Sequence, residues 1–171
     1  PLKINDPRMF KPLTLSVPNL IQSDKPHRCY NEDANELIRR ISCDILYVDP
    51  PYNTRQYAPN YHILETVAVW DKKIKDTTTG LRPWEHQKSA YSYVGKSVEA
   101  FEDLITSANC KYLLFSYNTE GLMPRKEIIR VLSLRGKPIE YLINYRRYKS
   151  HKVENPKEKL KELLFFVEVS K

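Results

Sequence analysis

Residues Ile45–Asn53 read "ILYVDPPYN": four apolar residues, then an acid, two prolines, a tyrosine and an amide. The apolar run does not alternate, which is the pattern of a strand covered on both faces, as in a parallel sheet. Pro50 and Pro51 cannot donate backbone hydrogen bonds and hold φ at about −65°, so the strand must end at Asp49. A carboxylate therefore stands at the carboxyl end of a buried strand, and in open α/β sheets that is where ligands bind.

Around this strand the pattern is that of one domain. Residues 1–26 are rich in proline and lack periodicity, so they are expected to form an irregular arm, with the organised region over 27–171. A short strand over Arg28–Tyr30 should lead into a helix from about Ala34. That helix would be capped by Asp33 or Asn31, with Leu37, Ile38 and Ile41 on its apolar face. Beyond the motif, Ile63, Val67 and Trp70, with Leu64 and Ala68 beside them, fall at helical spacing. The segment Lys72–Tyr93 mixes charges, threonines, Gly80, Pro83 and aromatics, and is expected as a long excursion across the surface. Val98–Ser107 reads as a helix and Lys111–Asn118 as a buried strand. Pro124–Gly136 starts with proline and stops with glycine, as a helix should. Ile139–Tyr148 and Leu160–Val169 read as strands, with the charged stretch Lys149–Lys161 as their hairpin loop. The order predicts an α/β sandwich with a mostly parallel sheet and a C-terminal antiparallel hairpin at one edge.

The balance of charge indicates a partner. Lys and Arg number 28 against 21 Asp and Glu, a net charge of +7, which favours a polyanion: nucleic acid first, an acidic membrane surface second. Cys29, Cys43 and Cys110 are far apart without a CxxC spacing, so neither a disulfide framework nor a zinc site is expected, and no metal is called for. The most apolar window, "LLFFVEV", is far shorter than the roughly 20 residues of a membrane span, and no secretory leader is visible. A soluble cytoplasmic protein is the expectation.

The motif suits amine chemistry. The Asp49 carboxylate and the Pro50 carbonyl can together accept both hydrogens of an amino group, while Tyr52 offers a flat face to a planar base. An exocyclic amine conjugated to an aromatic ring is a poor nucleophile. Acceptors placed around its hydrogens favour a pyramidal nitrogen whose lone pair points at an electrophile. Arg55, Gln56, Tyr57, Asn60, Tyr61 and His62 follow at once and are the residue types that contact phosphates and displaced bases. Arg146, Arg147, Lys149 and Lys152 make a basic cluster beside the hairpin, suited to phosphate. Arg82, Trp84, His86, Gln87 and Lys88 place further such residues on the excursion, which can equally be a lid packed by its own aromatics. A metal-dependent nuclease is poorly matched, because the only acid-x-Lys triplet, Asp71-Lys72-Lys73, lies at an expected helix end, and no P-loop or dinucleotide glycine pattern exists.

"DILYVDPPYN" followed by "RQYAPNYHILETVAVWD" resembles the D12 class of adenine-specific DNA methyltransferases, and the resemblance extends from about Cys29 to the C-terminus. It takes in "YNEDANELI", "KYLLFSYN" and "YRRYKS" with "LKELLFFVE". The resemblance implies methyl transfer from S-adenosylmethionine to N6 of adenine in double-stranded DNA, in a prokaryotic cytoplasm, within a partial class I (Rossmann-like) methyltransferase sandwich. By position, Asp49 and Pro50 would orient the amine, Pro51 would hold the turn and Tyr52 would stack on the flipped base. Asp33, with Asp49, would face the cofactor.

The family's glycine-rich cofactor loop has no counterpart, since the four glycines, Gly80, Gly95, Gly121 and Gly136, are scattered. The expectation is a catalytic-motif part, completed by an upstream segment or a complementary subunit, that binds cofactor poorly alone and can self-associate through an exposed sheet edge. Two other readings stay open: an RNA amino-methyltransferase, and a non-catalytic nucleic-acid-binding module.

Overall fold

The computed structural model describes residues 10–12, 14–71, 80–144 and 161–170, in two compact units, 1–31 and 32–171. The described part of the first unit holds no α-helix or β-strand, and its apolar side chains are open to solvent, Leu15, Val17 and Ile21 among them. The strand expected over Arg28–Tyr30 does not form. A strand needs a ladder partner, and the described strands pair only among themselves in one sheet.

The second unit runs α1 (Ala34–Ile38), β1 (Ser42–Val48), α2 (Tyr57–Asn60), α3 (His62–Val69), α4 (Ser97–Ser107), β2 (Asn109–Asn118), α5 (Arg125–Leu132), β3 (Ile139–Asn144) and β4 (Lys161–Glu168). Short 3-10 turns at Glu85–Gln87 and Ala90–Ser92 lie between α3 and α4. The four strands form one sheet in the order β1-β2-β4-β3. β1 and β2 are parallel, joined by the crossover that contains α4, while β4 runs antiparallel to both β2 and β3. The hairpin is at an edge, as expected, but the sheet is mixed rather than mostly parallel. β4 inserts between β2 and β3, so two of the three pairings are antiparallel.

Side chains alternate across a strand, and here the two faces meet different surroundings. On one face Leu46 and Val48 of β1 stand beside Leu113 and Phe115 of β2, which are in register with Val167 and Phe165 of β4. α4 and α5 cover this face with Phe101, Leu104, Ile105, Ile128, Val131 and Leu132, all buried. The opposite face carries Ile45, Tyr47, Tyr112, Leu114, Leu164, Phe166, Ile139 and Tyr141. Ile45 and Tyr47 are each 58% exposed, so the strand expected to be covered on both faces is covered on one. All the helices that reach the core lie on the same side of the sheet.

Two close approaches fasten the lower end of the sheet to the helices. The Arg135 guanidinium donates to the carbonyls of Ile105, Thr106 and Ala108 at 2.8, 2.9 and 2.8 Å, filling acceptors that the carboxyl end of α4 leaves unpaired. The Ser170 amide donates to the Arg135 carbonyl at 2.8 Å. Next to it, a Cβ on Gly136 would fall 2.2 Å from the Glu168 carbonyl oxygen, so only glycine fits. Charge-assisted hydrogen bonds contribute about 1.5–3 kcal/mol each, without strict additivity. Arg135→Ala should therefore lower unfolding free energy by about 2–4 kcal/mol in urea titrations, with Arg135→Lys restoring only part because a lysine cannot fork to three carbonyls.

Candidate active site

The apolar run of β1 stops at Asp49, and the chain turns through Pro50, Pro51 and Tyr52 at the carboxyl end of the parallel pair β1/β2. Pro50 is buried under the turn while Asp49 is exposed, so the proline anchors and the carboxylate faces out. Asp49 is exposed, and among the described residues none hydrogen-bonds to its side chain. The turn is fixed on both sides. The Tyr52 carbonyl accepts from the Leu122 amide at 2.9 Å, and the Asn53 side chain accepts from the Arg55 amide at 2.9 Å.

The Leu122 end of that tie is itself rigid. Tyr117, 2% exposed, accepts at its hydroxyl from the Met123 amide at 3.0 Å, and a Cβ on Gly121 would lie 2.2 Å from its ring. Asn118, at the end of β2, accepts from the Glu120 amide at 2.8 Å and donates to Glu162 at 3.3 Å. The loop after β2 thus forms a stiff shelf beside Tyr52. Sequence patterns alone do not mark it, because its ties run to main-chain groups.

Aromatic side chains gather around the carboxylate. Tyr52, Tyr57 and Tyr61 are 41, 54 and 57% exposed, and Tyr57 meets Tyr61 edge-on with ring centroids 6.0 Å apart. Partial burial, followed by the proximity of Tyr52, Asp49 and Tyr61, pushes the Tyr57 phenol up. Tyr57 begins α2, a four-residue helix not expected from the sequence. Arg55 is exposed beside this group, as is Asn60. Gln56 is placed differently: its amide oxygen accepts from the Ser89 amide at 2.9 Å and its nitrogen donates to the Ser89 carbonyl at 3.3 Å. Arg146, Arg147, Lys149 and Lys152 lie outside the described residues.

Asp33 occupies the N-cap of α1, one of the two positions the sequence offered. Its Oδ1 accepts from the amides of Asn35 and Glu36 at 2.9 and 3.2 Å. Glu32, its neighbour, pairs with Arg40. The cap is held against α4 through Asn35, whose side-chain nitrogen donates to the Ala100 carbonyl at 2.8 Å and to Asp103 at 2.7 Å. Arg39 adds an ion pair to Asp103 at 2.5 Å.

The excursion does not simply cross the surface. Tyr91 is 8% exposed, and its hydroxyl lies 2.9 Å from Asn35 Oδ1 and 3.1 Å from the Ala100 carbonyl, while Ser92 beside it is also buried. A single inward tyrosine in a polar stretch carries no periodic signal, so the sequence could not show it. The start of the excursion is tied by the Asp71–Arg82 pair, bidentate at 2.6 and 2.8 Å.

Comparison with known proteins gives this arrangement its context. Residues 7–127 match the family model described as D12 class N6 adenine-specific DNA methyltransferase. The chain belongs to that family. It is 42% identical over 170 residues to "Type II methyltransferase M.FokI" of Planomicrobium okeanokoites, covering 98% of this chain and 26% of that protein. "Modification methylase StsI" of Streptococcus sanguinis is 38% identical over 170 residues, with the same 98% and 26% coverage. "Type II methyltransferase M.NlaIII" of Neisseria lactamica is 41% identical over 150 residues, covering 88% of this chain and 44% of that protein. The chain therefore spans about a quarter to under a half of the length of these relatives. No solved structure matches it significantly.

Hydrogen bonds from Asn35, then from Arg39, hold the Asp103 carboxyl below its ordinary value. A carboxylate whose folded pKa is depressed stabilises the fold fully above its unfolded pKa and loses that contribution as pH falls through the folded value. Asp103→Asn should therefore flatten the acid limb of the stability–pH curve in thermal melts below about pH 4, with a lower melting point at pH 7.

Proposed function

We propose that the chain supplies the methyl-acceptor side of an S-adenosylmethionine-dependent N6-adenine DNA methyltransferase. The observation that carries this reading is the Asp49–Tyr52 turn: an exposed carboxylate without a partner among the described residues, a proline-fixed carbonyl and an aromatic ring at the carboxyl end of a parallel pair, in a chain of this family. The Asp49 carboxylate and the Pro50 carbonyl accept the two hydrogens of the adenine amino group, which directs its lone pair outward. Tyr52 lies flat against the base, and Tyr57 and Tyr61 extend the aromatic wall. A base reaches this turn only out of the duplex, since N6 is occupied in pairing and stacking. Arg55 and Asn60, with Arg146, Arg147 and Lys149 of the basic cluster, contact the surrounding backbone.

S-adenosylmethionine, when bound, supplies an electrophilic methyl group. The residues present fit one part of it: Asp33 keeps one carboxylate oxygen clear of its helix cap, and Asp49 is open. They do not cradle the rest. Gly121 and Gly136 are fixed by close packing at separate places rather than forming a loop. A further segment or subunit completes the cofactor site, in a class I arrangement with strands added beside β1 and a second helix layer on the open face. The uncovered row of Ile45, Tyr47, Tyr112, Ile139, Tyr141 and Ile143 supports this, each at least 36% exposed. Full burial of such side chains yields about 1.5–3 kcal/mol apiece. Helix α3 adds Ile63, Leu64 and Val67, and its C-cap adds Trp70, all above 60% exposed. No helix among the described residues is long and apolar enough to cross a membrane.

In an enzyme that contains this chain and methylates adenine, Asp49→Ala should reduce N6-methyladenine formation by at least about 10³-fold, in line with removal of a transition-state hydrogen-bond acceptor. Duplex affinity should change less than about threefold. Mass spectrometry of the digested DNA and a binding titration make the comparison, and equal loss of both would contradict the role given to Asp49.

A further inference from the structure

The turn at Ala90–Ser92 touches both ends of the proposed site through a continuous series of hydrogen bonds. At one end, Asp33 Oδ1 receives the Asn35 amide at 2.9 Å, and Asn35 Oδ1 receives the Tyr91 hydroxyl at 2.9 Å. Within the turn, the Ser89 hydroxyl accepts from the Tyr91 amide at 3.3 Å. At the other end, the Ser89 main chain exchanges two bonds with the Gln56 side chain, at 2.9 and 3.3 Å, and the Ser92 hydroxyl reaches the Arg55 carbonyl at 3.4 Å. Gln56 lies four residues after Tyr52, in the strap that leaves the Asp49–Tyr52 turn.

The series is also built to be stiff. Tyr91 is buried against α4, and its phenol is pushed up by burial, then by Asp33 and Asp103, so it stays a neutral donor at physiological pH. An amide side chain that both donates to and accepts from one residue's main chain fixes that residue in position and orientation, which a single bond does not.

We propose that Ser89–Ser92 is a strut that sets the spacing between the Asp33 turn and the Asp49–Tyr52 turn, with Gln56 and Tyr91 as positioning residues for methyl transfer. Gln56 then works inside the protein and not on DNA. The proposal rests on the reading of the site given above, because its purpose is alignment. An amine and a methyl donor held by different turns react only when their atoms are brought to about 3–3.5 Å in line, and a displacement of about 1 Å can lower the rate by about 10²-fold.

Two experiments test it. In the methylating enzyme, Gln56→Ala and Tyr91→Phe should each lower kcat by about tenfold or more while KM for duplex DNA and its salt dependence stay within about twofold. The double variant should fall no further than either single one, because both break the same device. A rise in KM with unchanged kcat for Gln56→Ala would make it a DNA contact and overturn the proposal, as would losses that simply multiply. Gln56→Glu, which keeps the acceptor and loses the donor, should recover part of kcat.

The second experiment needs no catalysis. Amide exchange in the chain should accelerate about tenfold or more at Ser89 in Gln56→Ala and in Tyr91→Phe, while Phe115 in the sheet keeps its protection and shows that each variant is folded. Unchanged exchange at Ser89 would remove the strut. An active Asp49→Ala enzyme would instead remove the reading of the site and leave the exchange result standing.

Discussion

Everything in the second unit depends on the packing of Phe101 against the sheet. Its ring lies 4.3 Å from that of Phe115, and Phe115 stands 5.5 Å from Tyr117 and 6.2 Å from Phe165. All four are essentially buried. This aromatic layer seats α4 over β2 and β4, and α4 in turn holds α1, the Tyr91 turn and α5. Because β2 is in register with β1 from Ser42 to Val48, fixing β2 also fixes where β1 ends and the Asp49 turn begins. The position of the carboxylate is thus a consequence of core packing more than 50 residues away in the chain.

The same packing is one-sided. A parallel pair flanked by helices on one face only leaves its other face to water, and parallel sheets are ordinarily covered on both. The exposed row on β1, β2 and β3, and the exposed apolar residues of α3, are what a two-layer portion of a three-layer protein would show. The chain's coverage of a quarter to under a half of its relatives agrees with that reading. On the proposed function, the open face and the acceptor turn are two views of one division.

The strands and the turn were legible because their signals are local. Lys111–Asn118 and Leu160–Val169 are apolar runs bounded by polar residues, and they form β2 and β4 within one or two residues of the expected limits. Asp33 as cap and Pro124 before α5 follow from short-range rules and hold, whereas α5 stops at Leu132, short of the expected stop at Gly136. What the sequence concealed is set by partners distant in the chain. Ile45 and Tyr47 read as core because periodicity reports polarity and not what lies above the strand. Tyr91 and Gln56 read as surface because their partners, Asn35 and Ser89, are 56 and 33 residues away. Arg28–Tyr30 had strand-like composition but pairs with none of the described strands.

On the proposed function, this chain carries the acceptor turn and lacks most of the cofactor cradle. Calorimetric titration of S-adenosylmethionine into the chain alone, and into the chain joined to an upstream segment that completes the sheet, tests it most directly. The chain alone should give no measurable heat, and the completed protein saturable one-to-one binding. Tight binding by the chain alone would contradict it and place the cofactor among the residues described above.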